Sequence, residues 1–341
     1  AAEPASVVRW RWWPAIAVLA CVIVAASAWM GVRALRHAVA VAPRHMSRLA
    51  IEPFTNATGK SDLDWVRNGL PGLMGSLLGE AGGLDVVDSK QVVRASQFKP
   101  TQGRSREQQL RFATGAEVLV SGRLTKLTDK LYELILHVQS VQGDAAEIRV
   151  DGEQPGVLAA NAVLRIRRQL GLAGRSATSG KLPGDPFLAE AFARGFDLQA
   201  RGKVADSISY FKLCVAEAPD FLPCRYYLGI GQLGAGDGKA GTQTLEALLP
   251  RAKSQDASRL TARALLMLAD NARLTSSTTS ALAYLRRALP FAQRSGDMET
   301  VAQIQLMTAI TAHSAHDMKL SAQAMAAAEA LLQRNPDMRH A

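Results

Sequence analysis

Between Pro14 and Val32 the chain reads PAIAVLACVIVAASAWMGV, 19 residues without a charge. At 1.5 Å per residue a helix of that length reaches roughly 28 Å, close to the hydrocarbon thickness of a bilayer. Trp10, Arg11, Trp12 and Trp13 stand at one edge and Trp29 and Arg33 at the other, as an interfacial belt would place them. The run predicts a transmembrane helix over 14–32 behind a short cytoplasmic stub, 1–13. A cleaved signal peptide is the competing reading. Its apolar region is usually shorter, and small residues would stand where Arg33, Arg36 and His37 do. Arginines flank both ends, so the positive-inside rule leaves orientation open. Ala1 rather than Met opens the sequence, and the expectation is a fragment whose preceding segment carries the output activity.

The net charge of +10 invites a nucleic-acid reading, but half of the excess lies in residues 1–48, where six arginines face Glu3 alone. No Lys/Arg stripe interleaved with aromatics follows, so no nucleic-acid surface is expected in this chain. Hydrophobic residues at 48% against 21% charged exclude wholesale disorder. Aromatics at 6% with abundant alanine and leucine favour packed helices over a β-sandwich.

Residues 48–172 read as a small mixed-sheet α/β domain. Arg48–Phe54 predicts a strand, followed by a polar loop through Asp64. Trp65, Leu70, Leu73, Met74, Leu77 and Leu78 repeat at helical spacing, with Asp64 as N-cap. Leu84–Asp88 predicts a strand, and 105–113 a helix ending at Gly115. Glu117–Leu127 and Leu131–Val141 predict a hairpin, 147–150 an edge strand and 157–170 a closing helix. The loop Phe54-Thr-Asn-Ala-Thr-Gly59-Lys60-Ser61 mimics a P-loop. Phe54, however, stands where the first phosphate-wrapping glycine belongs, and Asp62 and Asp64 repel phosphate.

Pro53-Phe54, Asn56, Gly59, the helix opening near Trp65 and Gly69-Leu70, and the later Gly115-Ala-Glu-Val-Leu-Val-Ser-Gly122 strand resemble the TolB N-terminal-like (FlgO-like) domain over residues 48–150. That resemblance implies no catalytic residues. It also implies a place beside one membrane span in CadC/ToxR-like transcriptional regulators, or in membrane serine/threonine kinases and cyclases, usually ahead of tetratricopeptide (TPR) repeats.

After a linker at 173–185, residues 186–338 carry a helical repeat pattern. Gly195 marks close helix contact, Gly202 a turn, Phe211 a core position and Pro219 a helix end, and Gly229 follows Gly195 by 34 residues. These residues resemble TPR units. The second unit reads as degenerate after Gly234, and helix pairs over 258–294 and 299–336, closing at Pro336, complete a superhelix with middle insertions. Such a superhelix has a concave groove that takes a peptide or partner helix, or else serves only as spacer or dimerisation element.

Catalytic motifs are absent from the sequence, and neither a cofactor nor a metal is expected. His313 and His316 lack a third ligand at compatible spacing. Cys214 and Cys224 either pair as a disulfide in an oxidising compartment or sit unpaired in the packing face.

The resulting expectation is an α+β chain with one transmembrane helix, a mixed-sheet α/β domain and an all-α TPR superhelix. Its predicted role is the periplasmic sensory and protein-binding region of a single-pass inner-membrane bacterial regulator, forming homodimers in one reading. DNA would be reached only through a preceding domain. The alternatives are the non-catalytic tail of a membrane kinase or cyclase, or a stand-alone TPR scaffold for envelope proteins.

Overall fold

A computed structural model of the chain describes residues 47–80, 83–97, 103, 105–141, 145–172, 185–275 and 277–334. The first half is built on a sheet of order β3-β1-β4-β5-β6. Its strands are β1 (Arg48–Ile51), β2 (Thr55–Ala57), β3 (Asp85–Val86), β4 (Val118–Lys126), β5 (Tyr132–Ser140) and β6 (Ala145–Gly152). β3 and β1 run parallel to their neighbours, whereas β4, β5 and β6 form an antiparallel meander. β2 was missing from the sequence-based expectation. It pairs with β4 just beyond β1, so the two are one path interrupted at Pro53, whose missing N–H cannot join a ladder. Phe54 is buried in this gap, and a Cβ on Gly122 of β4 would sit 2.6 Å from its ring. The residue that spoils the P-loop pattern is therefore a core side chain.

Four helices cover this sheet: α1 (Val66–Glu80), α2 (Ser89–Gln97), α3 (Arg106–Thr114) and α4 (Pro155–Gln169). Leu70, Leu73, Met74 and Leu78 of α1 and Leu158, Val163 and Ile166 of α4 share a core with one face of the strands. Ala50 and Leu119 point to the other face and pack with Val92 and Ala95 of α2 and Leu110 of α3. α3 begins with a full capping box between Ser105 and Gln108 and ends at Gly115 in the left-handed region. Asp64 is not the N-cap of α1: a 3-10 turn (Ser61–Leu63) precedes the helix, and Asp64 accepts instead from Asn56 Nδ2 at 2.8 Å.

The second half is four antiparallel helix pairs: α5 (Pro186–Ala200) with α6 (Val204–Glu217), α7 (Leu222–Gly234) with α8 (Gly238–Ser254), α9 (Ser258–Leu274) with α10 (Thr278–Ser295), and α11 (Met298–Ser314) with α12 (Met318–Arg334). Gly195 of α5 lets the Phe211 ring of α6 approach to 3.0 Å of where a Cβ would stand. One step later Leu245 of α8 comes within 2.6 Å of the same point on Gly229. Gly202 turns between α5 and α6 at φ +79°, and Pro219 lies between α6 and α7.

The expected degeneracy after Gly234 is not observed, because α8 is a regular helix of 17 residues. Nor do the extra residues form inserted loops. From α8 onward the helices start at Gly238, Ser258, Thr278, Met298 and Met318, a step of 20 residues per helix. Positive φ recurs on the same step at Gly236, Asp256, Gly296 and His316. The helices have lengthened to 17 or 18 residues, and the unit is a 40-residue hairpin rather than a 34-residue one.

The described residues belong to one compact unit. The fold class needs correction where a transmembrane helix was expected: among the described residues no helix is long and apolar enough to cross a membrane. What the structure displays is a mixed sheet with a helical repeat region. The expected span 14–32, with Trp10, Arg11, Trp12, Trp13, Trp29 and Arg33, lies outside the described residues, as do most of the expected linker and Pro336.

Candidate protein-binding groove

The first helices of the four pairs (α5, α7, α9, α11) line one face of the array, and the sheet half is docked on that face. α1 packs against α5 so closely that Gly72 lies under the Phe196 ring and Gly69 against the Ala193 carbonyl. Asn68 Nδ2 donates to Asp197 Oδ1 at 2.7 Å within this contact. Burial pushes the Asp197 carboxyl above its usual range, and the Asn68 bond offsets part of that rise. The apolar core continues through the contact to Phe192, Phe211, Phe221 and Leu228.

A buried ion network seals the other side. Arg259 of α9 donates to Asp85 Oδ1 at 3.2 Å and to the Val86 carbonyl at 2.6 Å. Its Nε lies 3.1 Å from Asp297, an ion pair without hydrogen-bond alignment. Arg263 Nε donates to the same carboxylate at 3.1 Å, and Arg48 Nη2 donates to Glu299 Oε2 at 2.6 Å. Asp297 also caps α11 through the Thr300 N–H at 3.1 Å. Burial alone would raise its carboxyl, but Arg259, Arg263 and the cap hold it below the usual range. Glu299 goes the other way: burial pushes it up, and Arg48 offsets only part.

Between α2 and the array a cleft of about 200 Å³ remains open. Lys90, Gln91 and Arg94 of α2 form one wall. Tyr226, Tyr227 and Ile230 of α7, Leu266 and Met267 of α9, and Gln303 of α11 form the other. Burial pushes the Tyr226 hydroxyl well above its ordinary value, and the apolar side chains of this wall stand beside Arg263, Glu299 and Thr300, which line the same cleft. The groove expected from the repeat pattern is thus partly filled by the chain's own sheet half, and the cleft is its accessible remainder.

α2 was not anticipated from the sequence. Its signal was present: the Asp88 side chain accepts from the Lys90 N–H at 2.8 Å at the helix start, and Val92 and Ala95 are buried three residues apart. The structure joins Cys214 and Cys224 as a disulfide across the α6–α7 turn, with Cα atoms 5.8 Å apart. His313 lies exposed in the last turn of α11, and His316 in the turn that follows. Among the described residues no three His, Cys, Asp or Glu side chains gather in a way that could hold a metal.

No protein-family model matches the sequence, and no curated protein matches it. Among solved structures, the chain is similar to the TPR-like repeats of a Podosopora anserina protein described as a kinesin light chain, at 15% identity and a TM-score of 0.37. The likeness covers 53% of this chain and 87% of that one. The hairpins described above stand on their own packing.

Proposed function

We propose that this chain is a non-catalytic protein-binding module, in which a helical hairpin array holds a partner segment in the cleft beside α2. The observation that carries this reading is the cleft itself, where apolar side chains of α7 and α9 face a polar helix across open space. TPR-like hairpins stacked side by side suit a protein scaffold, and no side-chain arrangement described above calls for chemistry. The element order of the sheet half and its resemblance to the TolB N-terminal-like domain support placement in a signalling protein such as a CadC/ToxR-like transcriptional regulator. An oxidising compartment, such as a bacterial periplasm, suits the Cys214–Cys224 disulfide.

A photo-crosslinking residue at Ile230, in the cleft, should trap a discrete protein partner in the source cells. The same group at Arg286, exposed on α10, should not. Equal trapping at both positions, or none at Ile230, would remove the groove from consideration.

A further inference from the structure

We infer that the cleft beside α2 selects an acidic peptide segment in extended conformation. This rests on the groove reading above and specifies what the groove takes. Both acidic side chains beside the cleft are already committed: Asp88 lies 3.9 Å from Arg263, and Glu299 lies 2.6 Å from Arg48. Lys90 and Arg94, one helical turn apart and both exposed, have no ion pair among the described residues. The uncommitted charge of the cleft is therefore positive, and it sits on the wall opposite the apolar side chains.

Gln91 lies between these two cations. Its carboxamide nitrogen and oxygen are both buried, and neither has a hydrogen-bond partner among the described residues. Both atoms are closed off at rest, so a peptide reaches them only once the Gln91 side chain turns toward the cleft, where one donor and one acceptor side by side match the N–H and C=O that an extended backbone presents. A buried pair left unmatched is costly, so a peptide group that satisfies both gains more there than at an exposed amide. A ligand carboxylate would then reach Lys90 and Arg94, and an apolar ligand side chain would rest on Ile230, Leu266 and Met267. Basic peptides are rejected by the same two cations.

The test is to pan a random peptide display library against the whole chain and to resynthesise the enriched sequences. Enrichment of Asp and Glu beside an apolar residue is expected, with affinity weakened by salt. Lys90→Glu with Arg94→Glu should lower affinity by about tenfold or more, and Gln91→Leu should also weaken binding, while Arg286→Glu leaves it unchanged. Both reversed side chains are exposed, so the variant should fold like the parent. Enriched peptides that are not acidic, or that ignore the double reversal while Ile230→Glu abolishes their binding, would overturn this inference and leave the groove reading standing. Failure to enrich any peptide sensitive to Ile230→Glu would overturn both.

Discussion

Arg259 of α9 reaches across the seam between the two halves and places its Nη2 3.2 Å from Asp85 Oδ1 of β3. Replacing it with leucine leaves Asp85 with Arg48 and Asp297 with Arg263, and frees the Val86 carbonyl. Loss of one partner from a buried pair costs about 3 kcal/mol. R259L should therefore lower the urea midpoint clearly. Combining it with Asp85→Leu should cost less than the two single changes added together, with a coupling of about 1 kcal/mol or more. Strictly additive losses would show that the pair does not bind the halves together.

The acid response should trace to Asp297. Its folded-state affinity for protons is lowered, so its contribution is present above about pH 4 and is lost as pH falls through the folded value. Glu299 is raised, so its contribution is present at low pH and is lost as pH rises through its own folded value. D297N should be less stable than the parent near neutrality, and that gap should begin to narrow as pH falls below about 4. Denaturation midpoints measured from about pH 7 down to about pH 3 test this. A gap independent of pH would contradict the charge-based account.

Two glycines of α1 separate packing from propensity. A Cβ at Gly72 would enter the Phe196 ring, whereas one at Gly79 would meet Arg259 Nη1 at 3.8 Å, an ordinary contact. Gly72→Ala should destabilise by about 1–3 kcal/mol and speed amide exchange in α5. Gly79→Ala should be neutral or stabilising by up to about 1 kcal/mol through helix propensity. Calorimetry of the two variants side by side is sufficient.

Cys214→Ser or full reduction opens a short covalent loop across the α6–α7 turn. For a loop of this size the expected loss is about 3 kcal/mol, seen as a lower melting temperature of the reduced parent and of the variant than of the oxidised parent. An unchanged melting curve on reduction would show that the thiols are unpaired in solution, and would withdraw the support for an oxidising compartment.

The sequence revealed elements wherever local chemistry was unambiguous. The β4–β5 hairpin and the helix that ends at Gly115 rest on side chains and turns that act within a few residues. The 20-residue step of the later helices was concealed because glycine performs the turn at Gly236 and Gly296 while Asp256 and His316 adopt the same backbone region without it. The docking of the sheet half on the array was hidden for a different reason. Asn68 and Asp197, or Arg48 and Glu299, lie 129 and 251 residues apart, and no periodicity connects them. α2 was overlooked although it forms a wall of the cleft, because its nine residues, rich in polar side chains, bury only Val92 and Ala95.

A solenoid of helical hairpins that touch only their neighbours behaves as a spring, whose pitch is free to breathe when it meets a ligand. Here the coil is fastened at three rungs: α1 grips α5, Asp85 grips α9 through Arg259, and Arg48 grips α11 through Glu299. The fastenings turn the spring into a bracket. The spacing between the rungs is then set by a rigid sheet, so whatever enters beside α2 meets a gap of fixed width and must fit it without help from the coil.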